Sequence, residues 1–125
     1  MNTNLRTGVD MIEIDRIEDA INRQGQKFLK RVFTPIEILD CKERVESLAA
    51  RFAAKEAVAK ALGCGIGKVS WQEIEIIKNN ADQPEIVLNG NAAALAESLK
   101  LKTWSVSLSH SKQYAIALVV ALGEI

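Results

Sequence analysis

The segment Arg51–Gly63, RFAAKEAVAKALG, constrains the fold most, because an alanine-rich stretch of this length strongly favours a helix. At about 100° per residue, one apolar stripe of this helix includes the charged Lys55, although a solvated amphipathic helix keeps charges off its apolar face. The apolar members of the stripe are Leu48, Phe52, Ala59 and Leu62. Glu56 and Lys60 lie one turn apart on the adjoining face, among alanines that would let a ligand or another chain come close.

An ordinary surface helix explains the same charges. A glutamate followed four residues later by a lysine, as in Glu56 and Lys60, stabilises an exposed helix by about 0.2–0.5 kcal/mol. Lys55 could lay its stem over apolar neighbours and keep its ammonium in water. The helix alone therefore fits both interpretations, and a functional role requires partners elsewhere in the chain.

Composition narrows the class of protein. The 125 residues are enough for one domain, 1–125, and 16 basic residues balance 16 acidic ones, whereas a general nucleic-acid binder is distinctly basic. No apolar run reaches the ~18 residues of a membrane span, and the N-terminus lacks the basic-then-apolar pattern of a signal peptide. We therefore expect a cytoplasmic protein without nucleic-acid or membrane partners. Cys41 and Cys64 lack disulfide-framework or zinc spacing, which predicts reduced packing residues.

The N-terminal segment places an acid within a strand. Residues Leu5–Ile14 are typical of a β-strand, in which Gly8 permits close approach of another backbone. Strands disfavour acidic residues, so Asp10 in the middle of this strand indicates a specific role. Asp15 is a candidate N-cap for a helix over residues 16–24.

Two helix starts and a glycine-rich loop follow. The segment 34–37, TPIE, combines an N-cap threonine, a proline at the first position and a glutamate that closes a capping box, which is a structural signal. Ser47 is a candidate cap for the long helix, predicted to end at Gly63. In the loop 63–68, glycines such as Gly65 would let backbone N–H groups approach a phosphate. The loop lacks the P-loop arrangement, so a plain helix stop with a flexible exit fits the sequence better.

The C-terminal half is typical of a sheet with one helix inserted. Alternation and turn residues predict strands at 71–77, 85–88, 103–109 and 114–122, and a helix at 91–100. The last strand is almost wholly apolar, which predicts burial on both faces. His110 continues the Trp104 face at the end of the preceding strand.

Asp10 and Glu56 are the carboxylates in the least ordinary settings. If the fold brings them together, they form a site for a hard divalent cation, and Mg²⁺ fits oxygen ligands better than Zn²⁺ does. In the alternative interpretation, one carboxyl group of the pair acts as a general acid and the other as a general base. His110, the single histidine, could donate to a phosphate or serve structure. Arg51, Lys55 and Lys60 would supply further cationic donors, and this combination suits phosphoryl chemistry at a diphosphate.

Three blocks of the sequence carry a resemblance to a known family. The segments GVDMIEIDRI at 8–17, RFAAKEAVAKALGCGIG at 51–67 and SVSLSHSKQYAIA at 105–117 together resemble the holo-[acyl-carrier-protein] synthases, the small trimeric class of phosphopantetheinyl transferases. The resemblance covers nearly the whole chain. It implies an α+β fold in which a mainly antiparallel sheet packs against a long central helix. It also implies a homotrimer with active sites between subunits, the strand acid and the helix residues coming from different chains.

The resemblance also implies an activity and roles. These enzymes transfer the phosphopantetheine arm of coenzyme A to a serine of apo acyl carrier protein in fatty acid biosynthesis, releasing adenosine 3',5'-bisphosphate. Asp10 and Glu56 would hold Mg²⁺, and Lys60 would contact the phosphates. Arg51 and His110 would bind coenzyme A phosphates, with the Gly65 loop beside them. The base that accepts the serine proton stays open among Glu56, a metal-bound water and Lys60, and we favour Glu56 or a water that it orients.

The first helix is the expected docking surface for the carrier protein. By resemblance, Arg16 and Arg23 would contact an acidic helix of that partner, and Ile17 or Ile21 would add an apolar contact. The acid-free run 20–36 suits this partner. The alternative function is a module that binds coenzyme A or a carrier protein without chemistry. The family usually carries a glycine before Pro84 where this chain has a different turn sequence, which puts only the turn type in doubt.

Overall fold

A long helix packs across a three-stranded antiparallel sheet in this computed structural model, which describes residues 2–124. The helices are α1 (Ile14–Gln24), α2 (Gln26–Val32), α3 (Pro35–Cys41), α4 (Val45–Ala61) and α5 (Gly90–Ser98). The strands are β1 (Thr3–Glu13), β2 (Ile74–Lys78), β3 (Pro84–Leu88), β4 (Leu101–His110) and β5 (Tyr114–Glu124). The main sheet has the order β1-β5-β4, and β2 pairs with β3 in a second antiparallel sheet. The expected α+β fold with a central helix is confirmed.

Strand β1 and helix α4 approach each other at Gly8. A Cβ atom at this position would lie 1.9 Å from the carbonyl oxygen of Ala57, so only glycine allows the contact. The prediction of a close backbone approach at Gly8 is confirmed. Asp10 follows two residues later on β1 and lies against the same helix, where it contacts Lys60.

Lys55 lies in the core of the chain. Its side chain is completely buried, and its Nζ atom lies 2.7 Å from the Glu37 carboxylate. The same ammonium donates hydrogen bonds to the carbonyl oxygens of Trp71, at 2.9 Å, and Ile74. The predictions that Lys55 keeps its ammonium in water or contacts a phosphate are therefore wrong. The apolar stripe tolerates this cation because an acid from α3 neutralises it.

Glu37 connects three parts of the fold. Its carboxylate accepts hydrogen bonds from the backbone N–H of Thr34, at 2.9 Å, and from that of Ile76, at 2.9 Å. The Thr34 hydroxyl accepts in turn from the Glu37 N–H, which completes the predicted capping box. One side chain thus caps α3, pairs with α4 and holds β2.

Three predicted element starts are wrong. Helix α1 begins at Ile14, so Asp15 lies within its first turn, because β1 runs directly into the helix. Ser47 likewise lies inside the first turn of α4, which starts at Val45 and ends at Ala61. Residues Trp71–Glu73 form a 3₁₀ turn instead of the start of a strand. The chain curls there because Ser70 and Glu73 form a capping box.

Strand β5 buries only one of its faces within the chain, so the prediction of burial on both faces is wrong for the single subunit. Small side chains such as Ala115 and Ala117 face α4, while the alternate side chains are exposed. With those of β1 they form what we call the outer apolar face: Leu5, Val9, Met11, Ile116, Leu118 and Leu122. A solvated sheet face normally carries polar residues. Patches of this kind mark contact surfaces.

Three smaller features bear on the sequence predictions. In the turn before Pro84, Asp82 takes a positive φ of 59°, the left-handed backbone conformation that glycine adopts most easily. Cys41 is buried, Cys64 is half-buried, and neither is paired. Burial raises the pKa of the Cys41 thiol to about 11. Within residues 2–124, no helix combines the length and apolar character needed to cross a membrane.

Candidate active site

Asp10, Glu56 and Lys60 lie together where β1 crosses α4. The Lys60 ammonium lies 3.1 Å from Oδ1 of Asp10, and it donates a second hydrogen bond to the carbonyl oxygen of Val9 at 3.0 Å. Glu56 lies one helical turn before Lys60, on the same side of α4. All of these groups belong to one chain. The expectation that the strand acid and the helix residues come from different subunits is therefore wrong.

The surroundings of Glu56 affect its ionisation. Burial raises the pKa of Glu56, the negative charge of Asp10 raises it further, and the Lys60 ammonium partly opposes both effects. A carboxyl group whose pKa is raised by folding stabilises the folded chain below its unfolded-state pKa. That contribution is lost as the pH rises through the folded-state pKa. At neutral pH, ionised Glu56 therefore costs stability, and a cation placed between the two carboxylates would remove the cost.

The donor set fits a magnesium ion. Asp10 and Glu56 supply carboxylate oxygens, and the Lys60 ammonium already lies on Asp10 as a stand-in cation. Among the side chains of residues 2–124, no group of three potential His, Cys, Asp or Glu ligands gathers anywhere. Mg²⁺ is commonly held by one or two carboxylates and completes its shell with waters and substrate phosphates, whereas structural Zn²⁺ needs four protein ligands.

Arg51 lies on a different side of α4. Its guanidinium is buried and donates from Nε to the carbonyl oxygen of Ile76 at 3.3 Å, which holds β2 against the helix. It also lines a cavity of about 490 Å³. The other lining residues include Lys78, Pro84, Ser105 and Ser107. Lys60 lies nine positions after Arg51, which is about two and a half helical turns. The two side chains therefore leave the helix on opposite sides. The chain therefore does not bring Arg51 to the Asp10 cluster.

His110 is also separate from the cluster. It is exposed at the end of β4 and lines a hollow with Asp15, Val45 and Ser111. Val45 begins α4, and Glu56 lies about three turns, or roughly 16 Å, further along that helix. Within one chain, His110 therefore lies beside the start of α4, whereas Glu56 lies further along the helix.

The glycine-rich loop leaves α4 directly after the cluster. Gly63 and Gly67 have positive φ angles of 78° and 134°, which other residues rarely adopt. A Cβ atom at Gly65 would meet nothing within 4 Å, so packing does not require glycine there. The loop begins three residues after Lys60, beyond the end of α4. The assignment of Gly65 to ligand binding remains a prediction.

The predicted docking residues lie on α1. Arg16 and Arg23 line a cavity of about 240 Å³ together with Phe52, which lies one turn before Glu56 on α4. Ile17 is buried, so the prediction that it offers an exposed apolar contact is wrong, whereas Ile21 is half-buried. Ile17 turns inward because α1 packs its apolar stripe against α4. The two arginines thus lie near the carboxylate cluster.

Sequence reasoning missed two contributions. The carbonyl oxygen of Val9 anchors Lys60, and a backbone acceptor of this kind leaves no sequence signal. Ser105 and Ser107 line the Arg51 cavity. The strict alternation of β4, which places these serines on one face, was a signal for a polar surface there.

Comparison with known proteins identifies the superfamily to which the chain belongs. The family model for the 4'-phosphopantetheinyl transferase superfamily matches residues 6–119, and the chain belongs to this superfamily. Within it, the chain is similar to the holo-[acyl-carrier-protein] synthases of two bacteria. The relative from Herpetosiphon aurantiacus is 50% identical, over 95% of this chain and 99% of the relative. The relative from Dehalococcoides mccartyi is 54% identical, over 94% of this chain and 98% of the relative.

Solved structures of holo-[acyl-carrier-protein] synthases are also similar to this chain. The Helicobacter pylori holo-[acyl-carrier-protein] synthase in complex with coenzyme A has a TM-score of 0.85 and 39% identity, covering 92% of this chain and 98% of that one. The enzyme from Neisseria meningitidis has a TM-score of 0.83 and 36% identity, covering 93% of this chain and 96% of that one.

Proposed function

We propose that this protein is a holo-[acyl-carrier-protein] synthase. It transfers the 4'-phosphopantetheine group of coenzyme A to a serine of apo acyl carrier protein and releases adenosine 3',5'-bisphosphate, a step that supports fatty acid biosynthesis. The observation that carries the proposal is the cluster of Asp10, Glu56 and Lys60 in a chain that is similar to such enzymes over almost its entire length. Two acids and a cation held together suit a reaction at a pyrophosphate.

Each residue of the cluster has a chemical task. The serine oxygen attacks the β-phosphorus, and the bond from that phosphorus to the bridging oxygen of the nucleotide breaks. Mg²⁺ held by Asp10 and Glu56 would neutralise charge on the pyrophosphate. Lys60 donates hydrogen bonds to phosphate oxygens as negative charge builds up on the leaving group. Glu56, whose pKa is raised, accepts the serine proton directly or through a water that it orients.

The active form is a homotrimer with its sites between subunits. The outer apolar face supports this, since its exposed side chains, such as Leu5 at 62% and Met11 at 60%, require a partner. The separation of Arg51 and His110 from the cluster supports it too, because a neighbouring subunit can bring these groups to the coenzyme. In this arrangement, Asp10, Glu56 and Lys60 come from one chain and His110 from the next.

Leu118→Glu is expected to break the trimer. Leu118 lies in the middle of the outer apolar face, paired with Val9 in the sheet, and is 47% exposed. A charge buried at a subunit contact without a partner is strongly unfavourable. Light scattering after size-exclusion chromatography should report a monomer. The matched control is Ala94→Asp on the exposed side of α5, which should keep the trimer. A trimeric Leu118→Glu protein would contradict the assignment of this face.

The acyl carrier protein docks on α1 next to the cluster. Arg16 and Arg23 line a cavity together with Phe52, which lies one helical turn before Glu56. An acidic helix of the carrier would bring its serine to the mouth of the site. Charges at the rim of an interface act mainly on the association rate and on specificity.

Intact mass spectrometry tests the activity. The protein is mixed with apo acyl carrier protein, coenzyme A and Mg²⁺, and the carrier should gain the mass of one phosphopantetheine group. A carrier with the acceptor serine changed to alanine is the control and should gain nothing. If no gain occurs with any divalent metal, the transferase assignment is wrong. Coenzyme A binding without any gain would favour the binding-module alternative.

A further inference from the structure

We infer that Lys60 is a tethered cation that occupies Asp10 until a divalent cation binds, so that the lysine and the metal compete for one carboxylate. The inference rests on the proposed function in so far as it places a divalent cation at Asp10 and Glu56. Its consequence is an exchange of partners, in which metal binding frees the ammonium beside the position of the substrate phosphates.

Lys60 already contacts one of the two proposed metal ligands. Its ammonium lies 3.1 Å from Oδ1 of Asp10 and 3.0 Å from the carbonyl oxygen of Val9. Oδ1 is one of the two carboxylate oxygens with which Asp10 could bind a metal. An ammonium and a divalent cation cannot both lie next to it without strong repulsion. The lysine therefore occupies the position that a bound cation would require.

The charges around Asp10 favour replacement of the ammonium by a divalent cation. The charge of Lys60 acts on Asp10 through the direct contact and on Glu56 across one helical turn. Two carboxylates and one ammonium leave a net negative charge, which attracts a divalent cation. Once such a cation lies between the carboxylates, the ammonium faces excess positive charge. Repulsion then favours its departure.

Mobility decides which group moves. Asp10 is fixed on β1, which pairs along its whole length with β5, and Glu56 lies in the middle of α4. The Lys60 side chain is 54% exposed, against 20% for Asp10, and it has a flexible four-carbon stem. Lys55 shows the contrast, because it is fully buried and held by three partners. Lys60 can therefore leave its contact at little cost.

Metal titration tests the competition without any substrate. Mn²⁺ is added to the metal-free protein, and free Mn²⁺ is measured by electron paramagnetic resonance. Lys60→Met removes the charge but keeps a long side chain, and it should bind Mn²⁺ about tenfold more tightly than the wild type. Lys102→Met, which removes an exposed lysine at the start of β4, should bind like the wild type. An affinity of Lys60→Met equal to or below that of the wild type would overturn the inference, as would an equal gain in Lys102→Met.

The exchange has a second, reciprocal readout. The reaction of the Lys60 amine with acetic anhydride, followed by peptide mass spectrometry, should be faster at saturating Mg²⁺ than without metal. In Asp10→Asn the rate should not respond to Mg²⁺. A Lys60 rate that Mg²⁺ leaves unchanged in the wild type would overturn the exchange. Neither measurement involves coenzyme A or a carrier protein, so its outcome is independent of whether the transfer reaction occurs.

Discussion

Lys55→Met should lower the free energy of unfolding by about 3–5 kcal/mol, because it leaves the Glu37 carboxylate buried without its cation. The change also leaves the carbonyl oxygens of Trp71 and Ile74 without a hydrogen-bond donor. Burial lowers the pKa of Lys55 and the Glu37 charge opposes this effect, so the ammonium and the carboxylate depend on each other. Total stabilities of domains are about 5–15 kcal/mol, so the loss would be a large fraction.

Urea denaturation followed by circular dichroism measures this loss. Lys100→Met, at an exposed position, is the matched control and should change the stability by less than about 0.5 kcal/mol. The double variant Glu37→Gln/Lys55→Met should lose less than the sum of the two single variants, since each single change leaves one buried charge unpaired. A loss below about 1 kcal/mol in Lys55→Met would contradict the role given to the pair.

Glu56→Gln and Asp10→Asn should each lower phosphopantetheine transfer by about 10²-fold or more, since each removes a charge that acts at the reacting pyrophosphate. The stability of Glu56→Gln, in contrast to its activity, should rise. Folding raises the pKa of Glu56, so the ionised carboxylate costs stability at neutral pH and the neutral amide does not. A loss of activity in a protein with an unchanged or higher melting temperature cannot come from unfolding.

Glu97→Gln is the matched control for this change. Glu97 is an exposed helical glutamate on α5, so the same substitution there should leave both transfer and melting temperature unchanged. Transfer is measured from the initial rate of carrier mass gain at saturating coenzyme A. Wild-type activity in either Asp10→Asn or Glu56→Gln would remove the proposed metal site.

Local patterns predicted the part of the site that depends on local geometry. The helical spacing of Glu56 and Lys60 and the strand position of Asp10 were readable, and Gly8 indicated that another backbone comes close. The TPIE segment predicted its capping box for the same reason, since all its contacts lie within one helical turn.

The burial of Lys55 was not readable, because its partner Glu37 lies on another helix, and a capping glutamate gives no sign that it also neutralises a distant lysine. The exposed side of β5 was also misjudged. An apolar strand has the same pattern whether its second face is covered by its own chain or by a neighbour. The sequence therefore indicated burial without identifying the chain that provides it.

The proposed active site is shared by two subunits, and mixed trimers measure this sharing directly. Glu56→Gln and His110→Ala subunits, each nearly inactive alone, are unfolded, mixed in equal amounts and refolded. If Glu56 of one chain works with His110 of the next, random assembly restores about a quarter of wild-type transfer. If the mixture stays as inactive as its components, both residues act within one chain and the shared site is wrong.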